Sequence, residues 1–330
     1  MLQLPHRDLI QSPLTAQELH AAAAFVAAAL PATPQLRWPL LAARTGCDVV
    51  VKHENHLPTG AFKVRGGVWV MQQLQTHYPQ MKGVVAATRG NHGQSVAFAA
   101  ERAGLRAVIV VPHGNNPDKN RAMRALGAEL LEAGEDFDTA LEEARRLAHA
   151  GSLLFLPSFH PLLVQGVASY ALELFGACPE LDAVYAPIGL GSGLCGLIAA
   201  RDALGLDTEI IGVVAAEADA YARSLETGQV VATRSADTLA DGLAVRIPDA
   251  TALAFMRQGV SRIVRCSEAS ILAAIKAYFE DTHNLAEGAG AAALAALCQE
   301  HRDMKGKRVA VILSGGNIDP PTLLRALGQA

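Results

Sequence analysis

The stretch APIGLGSGLCGLIAA, residues 186–200, decides the kind of fold this chain adopts. An apolar run ends in glycines that open an Ala- and Leu-rich helix, so several backbone N–H groups converge where the helix dipole is positive. Such a loop is an anion site and suits a phosphate. Four glycines within residues 189–196 cost conformational entropy that an unliganded turn would not need.

Outward from this loop the same strand-then-helix rhythm continues. VVAAT leads into a helix over 91–103, AVIVV into one over 116–126, AELLE into one over 136–150 and LLFL into one over 164–176. AVYAPI, EIIGVVAAE and RVAVILS are the strands of the second half, with helices from 193, over 268–281 and over 287–299. The rhythm predicts an α/β fold of parallel sheets with helices on both faces. Ligands of such sheets bind beyond the carboxyl ends of the strands. Three strand-to-helix loops carry distinctive chemistry there: TRGNHGQS (88–95), the glycine loop, and SGGNID (314–319).

A length of 330 residues exceeds one compact core and suits two domains. The net charge of −4, with 21 scattered arginines, offers no field for nucleic acid or an anionic membrane, so the expected partner is a small molecule. Cysteines 47, 178, 195, 266 and 298 form no C-x-x-C pair, which argues against a disulfide framework or a zinc site and for a reducing, cytoplasmic compartment. AAAAFVAAAL at 21–30 is too short to span a bilayer and reads as an Ala-rich helix.

The glycine loop has a rival reading. Gly191, Gly193 and Gly196 spell G-x-G-x-x-G, and Glu217 at the end of the following strand stands where an NAD-dependent oxidoreductase holds its ribose. That reading leaves TGAFKVRGG, residues 59–67, unexplained. Only seven of the 28 basic residues are lysines, and Lys63 sits beside Ala61 and Phe62 in a frame of glycines. A partly apolar pocket lowers an amine's pKa and makes it a nucleophile. Taken singly, Lys63 reads as an ion-paired lysine, Asn91 as a helix cap and Ser314 as a turn residue. Their joint occurrence points to chemistry. Arg65 reads as a structural ion pair, His92 as a residue shaping its loop, and His53 and His56 as too isolated to ligate metal.

Together KHENHLPTGAFKVRGG (52–67), TRGNHGQS, GLGSGLCG (189–196), EGAGAAALAAL (287–297) and SGGN (314–317) resemble, in order and spacing, the fold type II pyridoxal-phosphate enzymes of the threonine dehydratase and serine racemase type. The resemblance spans residues 35 to 320. It implies a tryptophan synthase β-like architecture, with a large cofactor-binding domain from 1–75 and 159–330 and a small domain, 76–158, closing over the substrate. Pyridoxal 5'-phosphate is the implied cofactor. Lys63 would form its Schiff base, Phe62 would pack on the ring face and Asn91 would meet the phenolic oxygen. Amides of Gly189, Leu190, Gly191, Ser192 and Gly193 would hold the phosphate, Ser314 would meet the pyridine nitrogen, and Glu287 would lie near the ring. Thr88, Arg89, Gly90, Asn91 and His92 would receive the substrate, their helix-opening amides binding its carboxylate. A hydroxyl at Ser314 makes the ring a milder electron sink than a carboxylate would, which favours β-elimination. Relatives are commonly homodimers.

Several positions depart from the family pattern. Arg89 stands where relatives carry a small residue and where serine racemases hold the serine that reprotonates the opposite face, so racemisation is not expected. Its guanidinium could meet a second carboxylate on the substrate or form a salt bridge on the loop rim. Ala61 replaces a serine, and Leu190 and Ser192 interrupt a tetraglycine loop. Glu217 matches one ligand of a divalent-cation site, but Tyr221 and Arg223 occupy the next ligand positions, so no structural metal is expected. The short stretch after SGGNIDPP leads us to expect a catabolic type without a C-terminal regulatory domain. The expected activity is dehydration of a β-hydroxy amino acid to a 2-oxo acid and ammonia. Threonine, serine, phenylserine, 3-hydroxyaspartate or a hydroxyectoine derivative are the substrates to consider, and an amino-acid racemase of the same fold is the alternative.

Overall fold

The computed structural model describes residues 4, 5, 7–150 and 153–329. Among the described residues ten strands run in chain order: β1 Gln35–Arg37, β2 Asp48–His53, β3 Gly83–Ala87, β4 Arg106–Val111, β5 Glu129–Glu132, β6 Leu153–Phe155, β7 Ala183–Pro187, β8 Glu209–Ala215, β9 Arg262–Cys266 and β10 Arg308–Leu313. Six of them form one sheet in the order β1-β2-β10-β7-β8-β9, in which β1 alone is antiparallel. The other four form an all-parallel sheet, β5-β4-β3-β6.

Alternation along each strand explains how both faces are filled. In β10, Val309, Val311 and Leu313 join the core beneath the Ala-rich helix Gly288–Gln299, while Ala310 and Ile312 join the core beneath Pro161–Ala177 and Ser192–Ala203. Strands buried on both faces read as continuous apolar runs, which is why RVAVILS and AVYAPI are visible in the sequence. In the smaller sheet, Val84 and Ala86 of β3 face the helices Lys63–His77 and Asn91–Arg102, and Val85 and Ala87 face Phe137–Ala150.

Lys63–His77 is the element that joins the two halves. Its buried face includes Gly66 and Gly67, which let neighbouring backbone approach; a Cβ at Gly66 would lie 2.9 Å from the carbonyl oxygen of Leu163, and one at Gly67 would lie 2.3 Å from Ser95 Oγ. The amine at its first residue is therefore carried on a helix fixed from both sides.

The strands β1, β2 and β9 lie outside the rhythm read from the sequence. β1 has three residues, and β9 is an edge strand whose apolar run is interrupted by Arg262 and Arg265. β2 is completed by β10, from the far end of the chain. Glu217 also departs from its expected place: β8 stops at Ala215, and Glu217 is exposed in the 3₁₀ turn Ala216–Ala218. All five cysteines are unpaired, and among the described residues no helix is long and apolar enough to cross a membrane.

Candidate active site

Three segments far apart in sequence are zipped together by backbone. The Phe62 amide donates to the Ser314 carbonyl (3.0 Å), that of Gly316 to Gly60 (2.9 Å), and that of Glu287 to Gly315 (3.1 Å). Gly60 has φ 66°, and a Cβ there would stand 2.5 Å from Asn317 Oδ1, so the turn before Lys63 needs glycine on both counts. A Cβ on Gly290 would fall 2.1 Å from the Gly315 carbonyl. In this way TGAFK, EGAG and SGGN converge on one point.

The glycine loop closes the opposite side. Gly191 adopts φ 105° and caps Ser192–Ala203 with no side-chain acceptor, leaving the first amides of that helix without intrahelical partners. Tyr170 Oη donates to the Gly193 carbonyl and Tyr221 Oη to that of Leu190, both at 2.9 Å, which turns the carbonyls back into the core. Phe62 meets Tyr170 edge to face, with ring centroids 6.2 Å apart. A small void of about 20 Å³ is walled by Phe62, Lys63, Asn91, Glu287 and Ser314 on one side and by Gly189, Gly191, Ser192 and Gly193 on the other. The Ser314 hydroxyl makes no hydrogen bond among the described residues.

A larger cavity of about 260 Å³ adjoins it, lined by Lys63, the whole of Thr88–His92, Leu190 and Glu287, among others. Thr88 Oγ1 accepts from the Gly90 (3.0 Å) and Gly93 (3.3 Å) amides, and the Thr88 amide extends β3 toward Val110. Of the amides expected to serve a carboxylate, Thr88 and Gly90 are thus already engaged, and those of Asn91 and His92 open the helix. His92 is buried with Nε2 3.5 Å from the Leu156 carbonyl, and desolvation, with Lys63 adding repulsion, lowers its pKa to about 4. It stays neutral, as suits a loop-shaping residue. Arg89 is exposed and forms no ion pair among the described residues, so of its two readings the rim salt bridge is not made.

Lys63 Nζ lies 4.6 Å from the Phe62 centroid and donates to no acceptor among the described residues. Desolvation lowers its pKa to about 8, although the negative charge of Glu287 works against the shift. Burial raises the pKa of Glu287, against the pull of Lys119 and of the Asn91 amide, which donates to Glu287 Oε1 at 2.5 Å. Asn91 Oδ1 in turn accepts from Asn317 Nδ2 (2.8 Å), so both ends of the amide are fixed.

Sequence reasoning missed Lys119, Asp241, Tyr170 and Tyr221. Lys119 was findable as one of seven lysines, placed in the first turn of the helix Pro117–Ala125. Tyr221 was noted only as a poor metal ligand; its neighbour Arg223 pairs with Asp219 at 2.6 Å. Glu217 lines neither cavity, so the ribose-binding acid of the dinucleotide reading is absent from the site. His53 and His56 are not isolated from each other: their rings are 5.3 Å apart and Trp38 Nε1 donates to His53 (3.1 Å), outside both cavities.

Comparison with known proteins gives the family. The family described as pyridoxal-phosphate dependent enzyme matches residues 26–315. An L-threonine ammonia-lyase of Geobacter sulfurreducens is 37% identical over 282 residues, covering 85% of this chain and 70% of its own. One from Thermotoga maritima is 34% identical over 286 residues, covering 86% and 71%. The solved processed form of threonine deaminase isoform 2 from Solanum lycopersicum superposes with a TM-score of 0.88 at 29% identity, over 96% of this chain and 94% of that one. With the family match extending over nearly the whole α/β body and both cavities, the chain belongs to the pyridoxal-phosphate dependent enzymes, among relatives of the threonine dehydratase type.

Proposed function

We propose that this protein removes water from a β-hydroxy amino acid and releases a 2-oxo acid and ammonia. The observation that carries the reading is Lys63: a desolvated amine without a hydrogen-bond acceptor, where a glycine cradle meets a substrate-sized cavity. The residues present fit the cofactor. Helix-opening amides face one end of the small void, an aromatic ring flanks it, and the Ser314 hydroxyl is uncommitted. A Cβ at Gly189 would strike the Gly242 carbonyl at 2.5 Å, so the cradle keeps its backbone bare.

Pyridoxal phosphate, when bound, supplies an electron-withdrawing ring that acidifies the α-hydrogen of the amino acid joined to it. In our reading, amides of residues 189–193 hold its phosphate, Phe62 flanks its ring and Ser314 Oγ meets the ring nitrogen. Asn91 turns its remaining amide hydrogen to the phenolic oxygen. The amides of Asn91 and His92 take the substrate carboxylate at the positive end of their helix. Lys63 Nζ takes the α-proton; with its pKa near 8 a useful fraction is unprotonated at neutral pH. The β-hydroxyl leaves with a proton as water. After release the enamine becomes an imine, and its hydrolysis returns the water and yields ammonia, so no oxidant is needed.

The test is the purified holoenzyme with L-threonine, L-serine, 3-hydroxyaspartate and phenylserine, reading ammonia and 2-oxo acid in equal amounts. Borohydride should fix the cofactor to Lys63 and abolish the visible band. Absence of ammonia from every substrate despite a full complement of cofactor overturns the reading, and chiral analysis of the remaining amino acid then reveals a racemase.

A further inference from the structure

Lys119 is nearly buried, its side chain 9% exposed, and it reaches from the smaller-sheet half to the larger one, where Nζ donates to Asp241 Oδ2 at 2.8 Å. Its stem lies on the backbone of the substrate loop: a Cβ at Gly90 would stand 2.8 Å from Lys119 Cδ and 3.6 Å from Nζ. Asp241 opens the 3₁₀ turn Asp241–Leu243, and the next carbonyl in that turn, Gly242, rests against Gly189 of the glycine loop. On its other side Gly242 abuts Ala289, where a Cβ would stand 2.8 Å from the alanine methyl. The turn is therefore wedged between the glycine loop and the helix that follows Glu287, with the ammonium of Lys119 pulling on its first residue.

The charges agree with a built contact. Burial alone would lower the pKa of Lys119, yet Glu287 and Asp241 together hold it above the ordinary value, so the ammonium persists at neutral pH. No other ion pair of the larger cavity touches the substrate loop among the described residues; Arg246–Asp138, at 3.1 Å, lies at the exposed mouth.

We propose that Lys119 is a positioning residue that couples the substrate loop at Gly90 to the glycine loop at Gly189, acting through Asp241 and Gly242. The inference rests on residues 189–193 being the phosphate cradle. Because the two loops share one strut, loss of the ammonium loosens both sites together, as reciprocal coupling requires. A side chain that served folding alone would leave both affinities unchanged in the folded protein.

The experiment titrates cofactor-free wild type, Lys119→Met, Lys119→Arg and Asp241→Asn with pyridoxal phosphate, followed by visible absorbance, and then measures KM and kcat for L-threonine on the loaded enzymes. For Lys119→Met and Asp241→Asn we expect the cofactor Kd and KM each to rise about tenfold, with kcat changed less than about threefold. Lys119→Arg, which keeps the charge and can still reach Asp241, should recover most of both losses. The coupling is overturned if KM rises while the cofactor Kd stays within about twofold of wild type, or if only the melting temperature moves. Should no substrate be turned over, the lyase reading falls, but the cofactor titration still decides this one.

Discussion

Lys63 and Arg65 stand in the first turn of one helix and meet opposite surroundings. Arg65 is buried, with Nε 2.7 Å from Glu54 and Nη1 2.7 Å from Glu173; the same two acids and Thr33 share Nη2. Lys52, equally buried, completes the cluster at 2.5 Å from Glu173. Desolvation works against the charge of Arg65, but its two carboxylates more than offset it, so its pKa is raised. For Lys63 desolvation wins and the pKa falls. A saturated buried cation holds structure, whereas an unsaturated one beside a cavity is kept for a ligand.

The strongest way to break this comparison is to remove each cation in turn. Lys63→Ala should lower ammonia release by at least about a thousandfold, through loss of both cofactor attachment and the proton carrier. Its fold should survive. The sign of the stability change follows from proton binding. In cofactor-free protein the folded pKa of about 8 lies below the ordinary value of 10.5, so between these pH values the unfolded chain holds more protons and stability rises with pH. Below pH 8 the full penalty of the buried ammonium is present. Cofactor-free Lys63→Met should therefore exceed wild type by on the order of 3 kcal/mol at neutral pH, a gain that fades as the pH approaches 10.5. Denaturant titrations across that range measure it, and an unchanging difference would show that the amine is not desolvated.

Arg65→Met should behave in the opposite way. The buried carboxylate of Glu54 and the half-buried one of Glu173 would be left with Lys52 alone, a loss of about 3–5 kcal/mol by comparison with other broken buried pairs. Chemical denaturation should register it, while kcat of the protein that remains folded changes only a few-fold. A loss of catalysis without a loss of stability would remove the distinction between the two residues.

What the sequence made legible follows the same division. Lys63, Asn91, the glycine loop and Ser314 announce themselves because each is tied to local chain geometry: a left-handed turn, a helix opening, a strand end. Arg65 was readable as an ion pair, but its partners Glu54 and Glu173 were not, since nothing local links β2 to the helix Pro161–Ala177. Lys119, Asp241 and the two tyrosines behind the glycine loop were hidden for that reason too. The insertion of β10 between β2 and β7 likewise depends on pairing across the whole chain.

Arg89 sharpens the comparison inside the cavity, because it shares with Lys63 the lack of a salt bridge among the described residues. The acids around it are engaged: Asp241 by Lys119, Asp138 by Arg246, Glu287 by Asn91 and Asp136 by Thr139. If the guanidinium meets a second carboxylate, Arg89→Ser should cost about tenfold in kcat/KM for 3-hydroxyaspartate and less than about twofold for L-threonine. Equal losses would assign it to the carboxylate that all the substrates share.

The smallest effect should come from the pair at the mouth. Arg246 and Asp138 have side chains 44% and 45% exposed, against 9% and 36% for Lys119 and Asp241. Exposed pairs contribute up to about 1 kcal/mol and are screened by salt. Arg246→Ala should therefore raise KM by no more than about threefold at low ionic strength, and the gap from wild type should close at about 0.5 M salt. The deficit of Lys119→Met should persist there, because water and counterions reach the buried ammonium of Lys119 poorly. If both gaps closed alike, the inner pair would be as solvated as the outer one, and the strut between the two loops would rest on packing rather than on charge.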